Sequence, residues 1–97
     1  MISLTLIEQE TLRHAVLEYL VERQRFYFTP DAIARALPRR NYVDFAVESE
    51  NVRQALALLE EMGLVKNKVD DLGSTKCFAA TAQGILAEER RRAEGII

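Results

Sequence analysis

The sequence predicts a mainly α domain carrying one small β-hairpin, an α+β arrangement in the order α-α-α-β-β-α. Three observations carry that reading: the helix start Thr29-Pro30-Asp31, the run from Leu56 to Val65 that closes a helix and opens a strand, and Thr81 at the head of a last helix. At 97 residues and 48% apolar content, the chain has enough hydrophobic material for one core and no room for a second. We expect one domain over residues 8–94, preceded by an N-terminal segment, residues 1–7.

The first helix is expected from Glu8 to about Gln24. Leu12, Val16, Tyr19 and Leu20 recur at i, i+4, i+7 and i+8 with no Gly or Pro between them, which is one face of a helix. Leu17 and Val21 add a second apolar stripe beside His14, so this helix should have two neighbours. In the second helix Thr29 accepts from a free N–H, Pro30 suits the first helical position and Asp31 favours the positive end of the dipole. Ile33, Ala34 and Leu37 form its buried side, and Pro38 should end it. Residues 38–47, with Tyr42 and Phe45 among polar neighbours, are longer than a tight turn and read as an ordered loop.

Ser49 is the expected cap of the third helix, in which Val52, Ala55, Leu56, Leu59 and Met62 follow helical spacing. Gly63 then supplies the left-handed residue that closes it. Leu64 to Val69 and Lys76 to Ala80 read as two strands around the turn-forming stretch 70–75. Thr81 caps the last helix, whose apolar positions Ala82, Ile85 and Leu86 give way to Glu88-Glu89-Arg90-Arg91-Arg92.

Composition excludes several classes. A lone cysteine, Cys77, rules out an intramolecular disulfide, and with His14 the only histidine the chain lacks the roughly four ligands of a structural zinc site. No metal and no cofactor is expected. No apolar run approaches the about 20 residues that span a bilayer, and no basic region precedes an apolar stretch at the start, so a cytoplasmic protein off the membrane is expected. The net charge of −2 means that any contact with nucleic acid must be local. The four glycines are far apart and cradle no phosphate. His14 has no nucleophile placed beside it by any motif, and Cys77 reads as a core residue or, less readily, as a redox-sensing thiol. The chain does not read as an enzyme.

The segment from Arg53 to Val65 contains Leu56, Leu59, Glu60, Gly63, Leu64 and Val65 at the spacing L-x-x-L-E-x-x-G-L-V, and Thr81 and Gly84 form Thr-x-x-Gly after the second strand. On these residues the chain resembles the winged helix-turn-helix superfamily of small bacterial and prophage regulators, over about Thr11 to Arg91. The resemblance implies a DNA-binding transcription regulator in which the third helix enters the major groove of double-stranded DNA and the hairpin, the wing, rests on the backbone. Such a helix fits a groove about 12 Å wide. A homodimer reading two half-sites is the natural extension. Leu4, Leu6 and Ile7 of the N-terminal segment, the Leu17 and Val21 stripe, and the last helix with Ile96 and Ile97 are the apolar surfaces left for it.

On the third helix the candidate contacts are Ser49, Asn51, Arg53, Gln54 and Ala57, since Arg and Gln can bond base edges bidentately. On the wing and backbone they are Arg39, Arg40, Lys66, Lys68, Ser74, Thr75 and Lys76. Each has a plainer reading as a solvated surface residue, and lysines on a hairpin also protect edge strands. Glu48, Glu50, Asp70 and Asp71 stand among them with the wrong sign for phosphate. The cluster Arg90, Arg91 and Arg92 follows Glu88 and Glu89 on a helix, so pairing at i, i+3 and i, i+4 is its first reading. The rival function is a protein-interaction adaptor that never touches DNA. A continuous positive surface from Arg53 across Lys66, Lys68 and Lys76 marks the DNA binder; one broken by Glu48, Glu50, Asp70 and Asp71 marks the adaptor.

Overall fold

The computed structural model describes residues 3–70 and 72–95 and has the expected order. The elements are α1 (Leu6–Glu22), α2 (Pro30–Arg39), α3 (Ser49–Glu61), β1 (Val65–Val69), β2 (Lys76–Ala80) and α4 (Ala82–Gly95). Helix α1 starts two residues before the expected Glu8 because Thr5 and Glu8 cap each other's backbone N–H groups in a capping box. It also stops short of Gln24, at Glu22. Thr29 caps α2 by accepting from the Ala32 N–H at 3.1 Å.

Pro38 does not end α2 as the sequence suggested. The helix continues through Arg39 and closes on Asn41, whose φ of 62° lets its N–H reach Pro38 O and that of Tyr42 reach Leu37 O. A proline in the last turn costs one hydrogen bond, and the left-handed Asn41 closes the helix with this Schellman pair. Gly63, at φ 77°, does the same for α3: its own N–H reaches Glu60 O and that of Leu64 reaches Leu59 O, both at 2.9 Å. The cap at the other end of α3 is Glu48 rather than Ser49, which is the first helical residue.

The core is built from Leu12, Val16 and Leu20 of α1, Ile33 and Leu37 of α2, and Val52 and Leu56 of α3, closed below by Val65 and Phe78 of the hairpin. Helix α1 packs against α2, α3, α4 and β2. The second stripe on α1, Leu17 and Val21, is therefore buried within the chain, and Leu17 lies beneath Gly84 of α4. It is not available to a second copy. Met62, expected in the core, is 52% exposed because it sits beyond the last helical turn of α3.

β1 and β2 pair antiparallel in the register Val65↔Ala80 to Val69↔Lys76. Phe28, just before α2, adds a bridge to the free edge of β2 through reciprocal hydrogen bonds with Phe78 of 2.9 and 2.8 Å. The loop ahead of α3 is held by Val43, which is buried, and by Tyr42, stacked edge-on against Tyr19 with ring centres 5.6 Å apart. The Tyr42 hydroxyl donates to Glu22 and accepts from Arg23. Burial and the Glu22 carboxylate push the Tyr42 phenol upward, and the Arg23 charge opposes them.

Candidate nucleic-acid interface

Helix α3 has one face in the core, made by Val52, Ala55, Leu56 and Leu59, and one in solvent, carrying Glu50, Arg53, Gln54 and Ala57. Three of the expected helix contacts, Arg53, Gln54 and Ala57, thus share the exposed face. Ser49 is half-buried at the helix start. Asn51 was expected at the edge of that face and is instead 8% exposed, its Oδ1 accepting the Glu48 N–H at 2.9 Å while the Glu48 carboxylate accepts from the Asn51 backbone. The reciprocal cap draws Asn51 into the fold.

Arg53 is not a bare cation. Its guanidinium lies 3.3 Å from Glu50 Oε2 on the same helix and 3.6 Å from Asp31 Oδ1 on α2. Arg39 and Arg40 are exposed at the end of α2. Arg35 joins them: it lies between Asp31 and Arg39 at four-residue spacing, on the rim of an open groove that also takes in Asp31, Glu48, Glu50 and Arg53. Sequence reasoning passed over Arg35, although that i, i+4 spacing was visible.

On the hairpin, direct partners share a face and successive residues alternate. Lys66 and Lys68 accordingly lie on one face, and Lys76, opposite Val69, lies on the other with Phe78. The three lysines do not make one stripe. The Lys68 and Lys66 ammonium groups sit 4.4 and 6.0 Å from the centre of the Tyr27 ring, an aromatic that the sequence did not mark. Its only clue is its place next to the bridging Phe28. Cys77 is half-buried opposite Lys68. At the tip, Asp70 accepts from the Ser74 N–H at 3.0 Å and from its hydroxyl, and the Asp70 N–H donates to Thr75 O. The Ser74 backbone bond is the main reason the Asp70 carboxyl is held below its ordinary value. Ser74 and Thr75 are exposed and serve this turn; Asp71 lies outside the described residues.

Two of the three arginines in the α4 cluster, Arg91 and Arg92, are committed elsewhere. Arg91 and Arg92 bond Glu88 at 2.6 and 3.2 Å, as their spacing predicted, and reach across to Glu18 and Glu22 of α1 at 3.2 and 3.7 Å. Glu88 is 1% exposed. Burial alone would raise its pKa, but hydrogen bonds and charge from Arg91 and Arg92 outweigh it and hold the carboxyl below the usual range.

Among the described residues, no group of three or more His, Cys, Asp or Glu is placed to hold a metal, and no helix is long and apolar enough to cross a membrane. No family model and no curated protein matches the chain. Solved structures do. A transcriptional regulator from Clostridium thermocellum superposes with a TM-score of 0.75 at 15% identity, over 96% of this chain and 87% of that one. Staphylococcus aureus MepR in complex with DNA gives 0.70 at 25% identity, over 84% and 60%. Lactococcus lactis ZitR gives 0.68 at 18% identity, over 91% and 59%. The chain thus spans about 60% of the length of MepR and of ZitR. In its element order, its hairpin and the structures it superposes on, the chain has the winged helix-turn-helix fold.

Proposed function

We propose that this chain is a DNA-binding transcription regulator, with α3 in the major groove and the hairpin on the flanking backbone. The observation that carries the reading is the superposition of 84% of the chain on MepR, a regulator solved on DNA. The exposed face of α3 supports it, since Arg53 and Gln54 project from a helix whose other side is fixed in the core. Lys66 and Lys68, braced by Tyr27, are the wing's phosphate contacts, and Arg35, Arg39 and Arg40 supply the cations of α2. Asn51 has no part in this reading, and Lys76 faces away from the other two lysines. The domain over 8–94, together with the N-terminal segment before it, acts as a homodimer, joined through the exposed Leu6 and Ile7 of that segment and through Leu86 of α4. Ile96 and Ile97 lie outside the described residues.

Titration against random-sequence duplex DNA at two salt concentrations tests the proposal, because phosphate neutralisation makes affinity fall steeply with salt. Salt-sensitive binding is expected; its absence at low ionic strength overturns the reading. One observation favours the adaptor instead: Arg53 is flanked by Asp31 and Glu50, so the positive surface is broken where the DNA reading needs it most. Sedimentation at equilibrium checks the homodimer, and a monomer at micromolar concentration would remove that part.

A further inference from the structure

Two carboxylates pair with the one arginine on the exposed face of α3, and a third, Glu48, lines the same groove. Glu50 and Asp31 pair with Arg53 at 3.3 and 3.6 Å, and the second of these pairs crosses from α2 to α3. Glu48 caps the helix with its own carboxylate, accepting from the Asn51 backbone N–H. Free N–H groups at a helix start ordinarily attract a phosphate. Here a carboxylate already holds that position.

Such an arrangement works against loose binding to the DNA backbone. A phosphate approaching the start of α3 meets three carboxylates against the two cations Arg35 and Arg53, and Arg53 has its fork already turned toward Asp31 and Glu50. A guanine edge differs: it carries no net charge, presents two acceptors in the plane of the guanidinium, and is repelled by the carboxylates far less than a phosphate is. Both ion pairs are solvent-exposed, with side chains 48 to 60% accessible, so they are weak enough for a well-placed acceptor pair to break.

Resting on the DNA-binding reading above, we propose that Asp31 and Glu50 are specificity-determining residues: they hold Arg53 away from phosphates and release it to a base edge. They are positioning residues that touch Arg53, not the DNA. Their removal should make the protein bind more tightly and discriminate less.

The test uses the full chain as wild type, Asp31→Asn, Glu50→Gln, the double variant, and the double variant with Arg53→Ala. Each is titrated against random-sequence duplex at low and moderate salt, and against the best sequence selected from a random pool by the wild type. Circular dichroism melting confirms that all are folded. Each single variant is expected to bind random duplex about three- to tenfold more tightly, and the double variant should steepen the salt dependence by about one counterion. Affinity for the selected sequence should change less, so the ratio between the two falls. Adding Arg53→Ala should cancel the gain. Salt-sensitive wild-type binding with variants unchanged within twofold overturns this proposal and leaves the DNA-binding reading standing. A gain that survives Arg53→Ala also overturns it, since simple loss of repulsion then suffices. No binding by any variant at low salt overturns both.

Discussion

Two sets of arginine–carboxylate pairs, one on α3 and one on α4, use the same chemistry for different ends. On α3, Arg53 pairs with Asp31 and Glu50, both well exposed. On α4, Arg91 and Arg92 pair with Glu88, which is 1% exposed, and then with Glu18 and Glu22 of α1. Exposed pairs contribute about 0 to 1 kcal/mol because water competes for both partners. A buried carboxylate that loses its partner costs several times that, since it has been taken out of water already. The burial of the acceptor, rather than the number of arginines, decides which cluster belongs to the fold and which can be exchanged for another ligand.

The contrast can be broken most severely at the seam of α4. A Cβ at position 84 would stand 2.1 Å from the Leu64 carbonyl oxygen, so Gly84→Ala must push α4 off the backbone that leads from α3 into β1; a loss of about 3 kcal/mol is expected in urea unfolding. Glu88→Ala leaves Arg91 and Arg92 without their shared acceptor, and since both can turn to solvent the expected loss is about 2 kcal/mol by the same measurement. A loss no greater than that of Arg53→Ala would erase the distinction between the clusters.

Acid sharpens it. The native Glu88 pKa lies below its unfolded value of about 4.3, so the stabilisation is complete above that pH and is lost as pH falls through the lower native value. Stability measured from pH 6 down to 3 should therefore fall, and Glu88→Gln should flatten that limb. Arg53→Ala should leave unfolding unchanged within about 0.5 kcal/mol. Its cost should appear in DNA affinity, at about 1 kcal/mol, the low end for a base contact because Arg53 must first leave Asp31 and Glu50. The smallest effect is expected from Tyr27→Ala, which frees Lys66 and Lys68 without removing charge: affinity for DNA drops by about 0.5 kcal/mol with the salt slope unchanged.

Elements signalled by local chemistry were legible in the sequence. Thr29-Pro30, Gly63 and Thr81 act on backbone groups within a few residues of themselves, and the apolar spacing of α3 needs no distant partner. The surfaces were harder to read because they depend on what packs across them. The Leu17 and Val21 stripe looked free until α4 covered it, and Glu88 looked like one charge in a run until the approach of α1 buried it. For the candidate interface, helical spacing was enough to put Arg53, Gln54 and Ala57 on one face. It could not show Asp31 arriving from α2, the fold of Asn51 back onto Glu48, or Tyr27 beneath two lysines, all of which join residues distant in sequence or turn on a local cap.

Thr81 makes three connections at one corner: its N–H donates to Leu64 O at 3.0 Å, its hydroxyl donates to Gly63 O at 2.6 Å, and the same oxygen accepts the Gly84 N–H at 3.0 Å. The end of α3, the root of β1 and the head of α4 therefore meet in a rigid elbow. These bonds clasp the root of the wing to the first turn of the last helix, so Thr81 fixes the angle at which the hairpin leaves the body of the domain.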